Sequence, residues 1–219
     1  MMMRSRSVTG SFLESSPTLE HLSIPERFLA LGDSFTIGTG TSPDRSFPAV
    51  LVGIWGEAGA RVELANPAVN GYTTDDLIAE ELPLVASFRP DLVTLLIGAN
   101  DIVQGARADR YRSQLARIHE RIRSDGPRAR VIALPQPDWS LSPAAAGFGD
   151  PVVIARTIER FNELAREEAE LAGAGWIDLF PLMREQALRR MFAPDGLHPS
   201  VEAYAEWARD LSRASVSSP

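Results

Sequence analysis

Short apolar runs alternate with amphipathic stretches along the chain, and this alternation predicts parallel strands joined by helices. Five runs have the length and apolar content of buried strands, at residues 27–31, 61–65, 91–97, 130–134 and 175–179. The stretches between them repeat their apolar residues at helical spacing, as residues 154–165 do. The chain shows no internal repeat and no interdomain linker, so we expect one three-layer αβα domain.

Several helix boundaries can be placed at polar residues and prolines. Ser46 followed by Pro48 is typical of a helix start, because proline is tolerated in the first helical turn. Thr73 or Thr74 can cap a second helix through its hydroxyl oxygen. Pro83 is expected to kink or divide that helix, since proline lacks a backbone donor and clashes with the preceding turn.

Two segments lack such periodicity. Residues 1–25 are polar and rich in serine, and we predict that they form a flexible N-terminal arm ahead of a folded domain at 26–215. Residues 136–150 hold several prolines and glycines together with Trp139 and Phe148. A loop of this length is typical of a lid or a pocket wall.

The charge and hydropathy of the chain limit the binding partners and the cellular locations that we expect. The 219 residues carry a formal net charge of −7 with scattered basic residues, which argues against a nucleic-acid partner. No segment reaches the apolar length of a membrane span. The arginines near the N-terminus are not followed by a continuous apolar core, so a signal peptide is not predicted and a cytoplasmic location is expected.

The composition offers little for metal or thiol chemistry. There are no cysteines, which excludes disulfides, thiolate metal ligands and cysteine nucleophiles. A three-histidine zinc site would need His21, His119 and His198 together, and their sequence contexts are unrelated. We therefore expect neither a metal nor a cofactor.

Residues 28–40, FLALGDSFTIGTG, are the most informative stretch for chemistry. An apolar run ends at Gly32, and Asp33 and Ser34 follow where the strand must give way to a loop or helix. A serine at the carboxyl end of a strand can be a nucleophile beside backbone N–H groups. The same residues also favour turns, which is a purely structural alternative. A phosphate-binding loop is disfavoured, because the chain has no lysine and the glycine spacing does not fit.

Four polar loop segments stand out along the whole chain. They are Gly-Asp-Ser at 32–34, Asn-Gly at 70–71, Gly-Ala-Asn-Asp at 98–101 and Asp-Gly-Leu-His at 195–198. Each alone can be a turn or a helix cap. In this order and spacing they resemble the SGNH hydrolases, the family of GDSL-type esterases and lipases, over about residues 27–213.

Two positions depart from the family pattern. Phe35 stands where the GDSL signature has leucine, and we expect no loss of chemistry because the position is apolar. After His198 and Pro199 the family often has asparagine and then glycine, whereas this chain has Ser200 and no glycine before Tyr204. The second departure alters the start of the last helix and leaves the histidine itself in place.

The resemblance implies roles for five residues. Ser34 is the expected nucleophile and His198 its base, with Asp195 accepting a hydrogen bond from the imidazole Nδ1–H. The expected oxyanion hole combines the backbone N–H groups of Ser34 and Gly71 with the side-chain amide of Asn100. A glycine lets the backbone approach a substrate closely, and a neutral amide can donate where a carboxylate would repel.

The remaining polar candidates are expected to lie outside the chemistry. Asp33 and Asp101 are interpreted as structural acceptors of local backbone hydrogen bonds. His119 lies beside the apolar stripe of its helix, and we expect it at the boundary or surface of the domain. His21 falls in the N-terminal arm, where nothing nearby could fix its orientation.

The resemblance also implies the fold and the reaction. The fold is an α/β flavodoxin-like domain with a five-stranded parallel sheet in the order 2-1-3-4-5. The function is hydrolysis of a carboxylic ester through an acyl-serine intermediate, with a small-molecule ester as substrate. The lack of a long apolar patch favours short-chain or soluble esters.

Three alternatives stay open. A carbohydrate O-deacetylase or an acyl-thioesterase would use the same residues. A non-catalytic binding domain would keep the fold without the reaction. A nucleotide-binding flavodoxin-like protein would need the phosphate loop that the chain lacks. The oligomeric state is not indicated by the sequence.

Overall fold

A five-stranded parallel sheet forms the centre of the protein. The computed structural model describes residues 24–216. The strands are β1 (Arg27–Gly32), β2 (Glu63–Ala65), β3 (Leu92–Leu96), β4 (Arg130–Ala133) and β5 (Gly175–Trp176). Their order is β2-β1-β3-β4-β5, and every neighbouring pair is parallel. The order 2-1-3-4-5 expected from the sequence is confirmed. The predicted arm at 1–25 lies almost entirely outside the described residues.

Helices connect the strands and cover both faces of the sheet. They are α1 (Ser34–Ile37), α2 (Phe47–Glu57), α3 (Thr74–Asp76), α4 (Pro83–Phe88), α5 (Ala99–Val103), α6 (Ala108–Asp125), α7 (Pro151–Leu171), α8 (Phe180–Leu188) and α9 (Val201–Val216). A π-helical segment spans Leu77–Glu81, and 3₁₀ turns lie at Pro43–Arg45, Trp139–Leu141 and Ala145–Gly147. Helix α2 begins after Ser46 with Pro48 in its first turn, as predicted.

Successive residues of β1 supply two separate cores, because side chains alternate between the faces of a strand. Phe28 and Ala30 pack with α2 and α9, where Trp207 is the largest buried side chain. Leu29 and Leu31 pack with α6 and α7 on the other face. Burial on both faces explains why β1 and β3 are almost continuously apolar.

The segment that follows β2 is a helix with an irregular middle. Thr73 is its N-cap, and the Thr73 backbone N–H donates to Asp76 Oδ2 at 2.9 Å in a capping box. The Leu82 N–H donates to the Leu77 carbonyl at 3.0 Å, which is the five-residue spacing of a π-turn. The predicted division at Pro83 is confirmed, since α4 begins there. The π-turn itself was not predicted.

The long segment at 136–150 is a packed wall beside the loop that carries His198. Trp139 is buried, and its indole N–H donates to Gln136 Oε1 at 3.2 Å. The Ala144 N–H donates to the Gly196 carbonyl at 3.1 Å. This hydrogen bond ties the wall to the loop between Asp195 and His198.

Among residues 24–216, no helix combines the length and the apolar content that crossing a membrane requires.

Candidate active site

Ser34 lies at the point where β1 ends and α1 begins. Gly32 is the last residue of β1, and a Cβ there would clash with the Leu96 carbonyl of β3. Asp33 is the N-cap of α1, and its Oδ1 accepts the Phe35 N–H at 3.0 Å. The turn therefore fixes Ser34 as the first helical residue, at the carboxyl edge of the sheet.

His198 and Asp195 form a hydrogen-bonded pair on the loop before α9. The distance from His198 Nδ1 to Asp195 Oδ2 is 2.7 Å, which is the contact expected from the sequence. Asp195 Oδ1 accepts the N–H groups of Leu197 and His198 at 2.9 and 3.0 Å. Partial burial raises the pKa of Asp195, but the hydrogen bonds from the ring and the two N–H groups outweigh it and hold that pKa below its ordinary value.

The Ser34 turn packs directly against this pair. The rings of Phe35 and His198 lie 5.4 Å apart between centroids. Gly40 has a φ of +85°, and a Cβ there would lie 2.7 Å from the Ala193 Cβ and 3.2 Å from Asp195 Oδ2. These contacts bring His198 and Asp195 to the same end of β1 as the serine.

The Ser34 hydroxyl makes no hydrogen bond with any residue from 24 to 216. The sequence led us to expect Ser34 and His198 within or slightly beyond hydrogen-bond reach, and no hydrogen bond joins them in this structure. Catalytic contacts of this kind are often long in the absence of substrate and shorten when one binds.

Asn100 and Gly71 occupy neighbouring loops at the same edge. Asn100 is the second residue of α5, and its Nδ2 donates to the Tyr72 carbonyl at 2.8 Å. One amide hydrogen of Asn100 stays available for another acceptor. Gly71 is exposed, has a φ of +92° and has no atom within 4 Å of the space a Cβ would take. Glycine suits this backbone conformation, because it has no Cβ that would be strained at a positive φ.

Backbone donors at the two turns are also unpaired. Within the described part of the chain, the N–H groups of Ser34 and Gly71 have no hydrogen-bond acceptor. Ser34 is at the first position of α1, where an N–H has no intrahelical partner. Two backbone donors and the Asn100 amide are thus free to bind an anionic oxygen.

Asp101 is a structural acceptor, as expected, although its partner is distant in sequence. Its carboxylate accepts the Thr74 N–H at 3.0 Å and the Thr74 hydroxyl at 2.5 Å. Burial raises the pKa of Asp101, and the hydrogen bonds from Thr74 partly offset this. The contact joins α5 to α3 and so connects the loops of Asn100 and Gly71.

The prediction for His119 is wrong. This histidine is only 4% exposed, because it lies on the side of α6 that packs near Leu115 and Ala165. Burial lowers the pKa of His119 to about 4, so the ring is neutral at physiological pH. It belongs to the core and lies apart from the Ser34 turn. His21 lies outside the described residues.

Glu81 was missed by the sequence reasoning. Its Oε2 accepts the Gly32 N–H at 2.9 Å, and the side chain is only 1% exposed. In the sequence it is one of two adjacent glutamates before Leu82 and Pro83, a pattern typical of a solvated helix face. The π-turn rotates Glu81 inward, and nothing in the local sequence indicates that rotation.

The comparisons with known proteins agree with this geometry. Residues 30–206 match the model of the GDSL-like Lipase/Acylhydrolase family, and the chain belongs to that family. An arylesterase of Vibrio mimicus is 27% identical over 180 residues, covering 81% of this chain and 82% of the relative. A protein of Escherichia coli named as thioesterase, protease and lysophospholipase is 22% identical over 188 residues, covering 83% and 81%.

Solved structures share the fold. The crystal structure of an acetylxylan esterase from Geobacillus stearothermophilus superposes with a TM-score of 0.70 at 21% identity, covering 89% of this chain and 97% of that one. The flavodoxin-like α/β fold expected from the sequence is therefore confirmed. With the family established, the protein is an ester-hydrolysing serine hydrolase.

Proposed function

We propose that Ser34 is the nucleophile of this hydrolase, that His198 is its general base, and that Asp195 orients the imidazole. The proposal is supported above all by the 2.7 Å contact between His198 Nδ1 and Asp195 Oδ2 beside the Ser34 turn. That contact leaves Nε2 as the ring nitrogen available to the serine hydroxyl.

The reaction proceeds in two halves. In the first, Ser34 Oγ bonds to the ester carbonyl carbon, His198 takes the serine proton, and that proton passes to the departing alcohol as its C–O bond breaks. In the second, His198 takes a proton from water and the water oxygen bonds to the acyl carbon. The bond between the acyl carbon and Ser34 Oγ then breaks as His198 returns that proton to Ser34 Oγ. The products are an alcohol and a carboxylic acid, and the enzyme is regenerated.

The negative charge that develops on the carbonyl oxygen is held by three donors. They are the N–H groups of Ser34 and Gly71 and the side-chain amide of Asn100, all of which have a free hydrogen in the structure. Such donors act mainly in the transition state, because the charge exists only there. No metal or cofactor takes part in these steps.

Short-chain, soluble esters with an apolar acyl or aryl part are the proposed substrates. Val69 is 41% exposed on the loop that carries Gly71, and Val103 is 47% exposed at the end of α5, which carries Asn100. Two exposed apolar side chains on the loops that carry the proposed oxyanion donors suit a small apolar group. The arylesterase among the relatives agrees with this class.

A thioester substrate is the second candidate, because a relative of 22% identity is named as a thioesterase. An acetylated carbohydrate is a third, since the fold is shared with an acetylxylan esterase. All three substrate classes would use the same residues and differ in the leaving group.

The test is one panel of substrates measured on the parent and on Ser34→Ala. It contains p-nitrophenyl esters of increasing acyl length, acetylated xylose and xylan, and acyl-CoA thioesters. We expect the highest kcat/KM for short p-nitrophenyl esters and loss of turnover in Ser34→Ala. A fluorophosphonate should label the parent at Ser34. Full turnover by Ser34→Ala would show that the nucleophile is misassigned, and no turnover or labelling would favour a binding domain.

The expected cytoplasmic location is part of the proposal and is tested by cell fractionation of the natural host. The proposal names no macromolecular partner.

A further inference from the structure

Three carboxyl groups are buried together beneath the Ser34 turn. Asp33 is 0% exposed, Glu81 is 1% exposed and Asp101 is 5% exposed. Both oxygens of Asp101 are occupied by Thr74. Asp33 and Glu81 differ from it, because each has one oxygen with a partner and one without.

The occupied oxygens bind neighbouring parts of the same turn. Glu81 Oε2 accepts the N–H of Gly32, and Asp33 Oδ1 accepts the N–H of Phe35. The other two oxygens, Asp33 Oδ2 and Glu81 Oε1, are buried without a hydrogen-bond partner among the described residues. A buried unpaired carboxylate oxygen is costly, and two buried carboxyl groups that bind the same turn repel each other when both are ionised.

One proton shared between the two groups would give both oxygens a partner. A protonated carboxyl is a donor as well as an acceptor, whereas an ionised one can only accept. We propose that Glu81 holds a proton on Oε1 and donates it to Asp33 Oδ2, and that this hydrogen bond positions the turn that carries Ser34. The proposed role rests on the proposed function of Ser34.

The electrostatic surroundings favour this arrangement. Burial raises the pKa of Glu81 to about 8; the Gly32 N–H lowers it and the charge of Asp33 raises it. Burial raises the pKa of Asp33 to about 7; the N–H groups of Phe35, Asp33 and Ala99 lower it, and the charge of Asp101 raises it. Both carboxyl groups therefore hold a proton to higher pH than an ordinary carboxyl does, as a shared proton requires.

Two tyrosines face the same region from the helices on either side. Tyr111 of α6 has a pKa raised by burial and then by the charges of Asp101 and Asp33. Tyr204 of α9 has a pKa raised by burial and then by the charges of Asp33 and Asp195. Both are neutral donors at physiological pH, so neither can supply the counter-charge that two ionised carboxylates would need.

The carboxyl cluster is not a metal site. Within residues 24–216, no three acidic or histidine side chains are arranged to hold a metal ion.

Asp33 connects Glu81 to the proposed nucleophile Ser34. Its side chain caps α1, and the next residue, Ser34, supplies both the hydroxyl and a backbone N–H to the site. Ionised Glu81 would repel Asp33 and displace the cap. Because Glu81 does not touch the substrate, it is a positioning residue, and its effect should fall on kcat rather than on KM.

The test compares Glu81→Gln, Glu81→Met and the control Glu80→Gln with the parent. The side-chain amide introduced by Glu81→Gln would keep an acceptor for Gly32 and supply a permanent donor for Asp33, so we expect that variant to retain kcat within a few-fold at neutral pH. Glu81→Met removes both hydrogen bonds, and we expect kcat to fall by about tenfold with little change in KM. Glu80 is exposed, and Glu80→Gln should match the parent.

The pH dependence of kcat distinguishes the proposed role of Glu81 from a purely structural one. The parent should lose kcat as the pH rises through about 8, where Glu81 ionises. Glu81→Gln should lack this loss, and Glu80→Gln should keep it. Infrared difference spectra between low and high pH should contain the loss of a carboxylic-acid C=O band in the parent and in Glu80→Gln, with a smaller loss in Glu81→Gln.

Three results would overturn the inference. They are an unchanged alkaline loss of kcat in Glu81→Gln, an unchanged carboxylic-acid band in that variant, or a loss of kcat in Glu81→Gln as large as in Glu81→Met. The infrared band does not depend on turnover. The comparison of the parent with Glu81→Gln therefore still tests the proposal if Glu81→Met does not fold. Failure of Ser34 to react with a fluorophosphonate would instead count against the proposed function and leave the shared proton intact.

Discussion

The two amide hydrogens of Asn100 have different roles in the proposed mechanism. One hydrogen binds the Tyr72 carbonyl at 2.8 Å and so holds the side chain beside the turn of Gly71. The other is free for the substrate oxygen in the proposed mechanism. A neutral amide is the appropriate group here, because an ionised carboxylate would face the oxyanion with the same charge.

Replacing Asn100 should therefore separate the oxyanion hole from the nucleophile. In Asn100→Ala, Ser34 and His198 stay in place, and we expect kcat to fall by about 10² to 10³, roughly 2.7–4 kcal/mol, with a small change in KM. Asn100→Asp should be slower still when the new carboxylate is ionised. Steady-state kinetics on one short p-nitrophenyl ester measure this, with circular dichroism as the folding control. A rise in KM alone would make Asn100 a substrate-binding residue.

At the scale of elements, the site depends on contacts between loops that lie far apart in sequence. The loop after α1 meets the loop of His198 at Gly40, where there is no room for a side chain beside Ala193 and Asp195. The wall at 136–150 holds the other side of the same loop through Ala144 and Gly196. The position of His198 is thus fixed by packing from two directions.

Gly40→Ala should impair catalysis more than stability. The new Cβ would lie 2.7 Å from the Ala193 Cβ, so the 193–198 loop must shift, and we expect kcat to drop by about tenfold, or ~1.4 kcal/mol in the barrier. Gly59→Ala is the matched control, since Gly59 has a φ of +89° and no atom within 4 Å of a Cβ. Both variants carry the left-handed strain of roughly 1–2 kcal/mol, measured by urea unfolding. Equal kcat values in the two variants would contradict the role of the Gly40 contact.

The elements that the sequence predicts well are those set by local pattern. Apolar runs place β1 and β3 within one residue of their ends, and helices begin after Ser46 and Thr73 as predicted. The fifth strand is two residues long instead of five, because its partner β4 ends at Ala133, which pairs with Trp176.

Features that depend on tertiary contact were not predictable from local pattern. The π-turn at Leu77–Glu81 directs Glu81 to Gly32, which is 49 residues away, and no short-range signal encodes that pairing. His119 follows Ile118 on α6 and looked peripheral, yet the neighbouring helix covers it. Four motifs led to the proposed site, whereas the groups beneath it could be found only from the fold.

At the scale of the whole molecule, buried titratable groups make stability depend on pH in two opposite ways. Glu81 has a folded-state pKa of about 8 against an ordinary value of 4.5, so the stability it contributes is present below 4.5 and is lost as the pH rises through about 8. His119 has a folded-state pKa of about 4 against 6.5, so its contribution is present above 6.5 and is lost as the pH falls through about 4.

His119→Gln isolates the acid-side effect. Between pH 6.5 and about 4 the unfolded parent binds a proton at His119 that the folded parent does not bind, and this favours unfolding as the pH falls. The full difference is of order 3 kcal/mol, taking 1.36 kcal/mol per pKa unit. The variant cannot gain this proton, so its unfolding free energy should decline less over that interval. Urea unfolding at several pH values measures the slope, and kcat/KM should stay within a few-fold of the parent. Glu81→Gln is the control, because it should keep the acid-side decline. A loss of kcat/KM on the order of 10³ in folded His119→Gln would instead show that His119, and not His198, serves as the base.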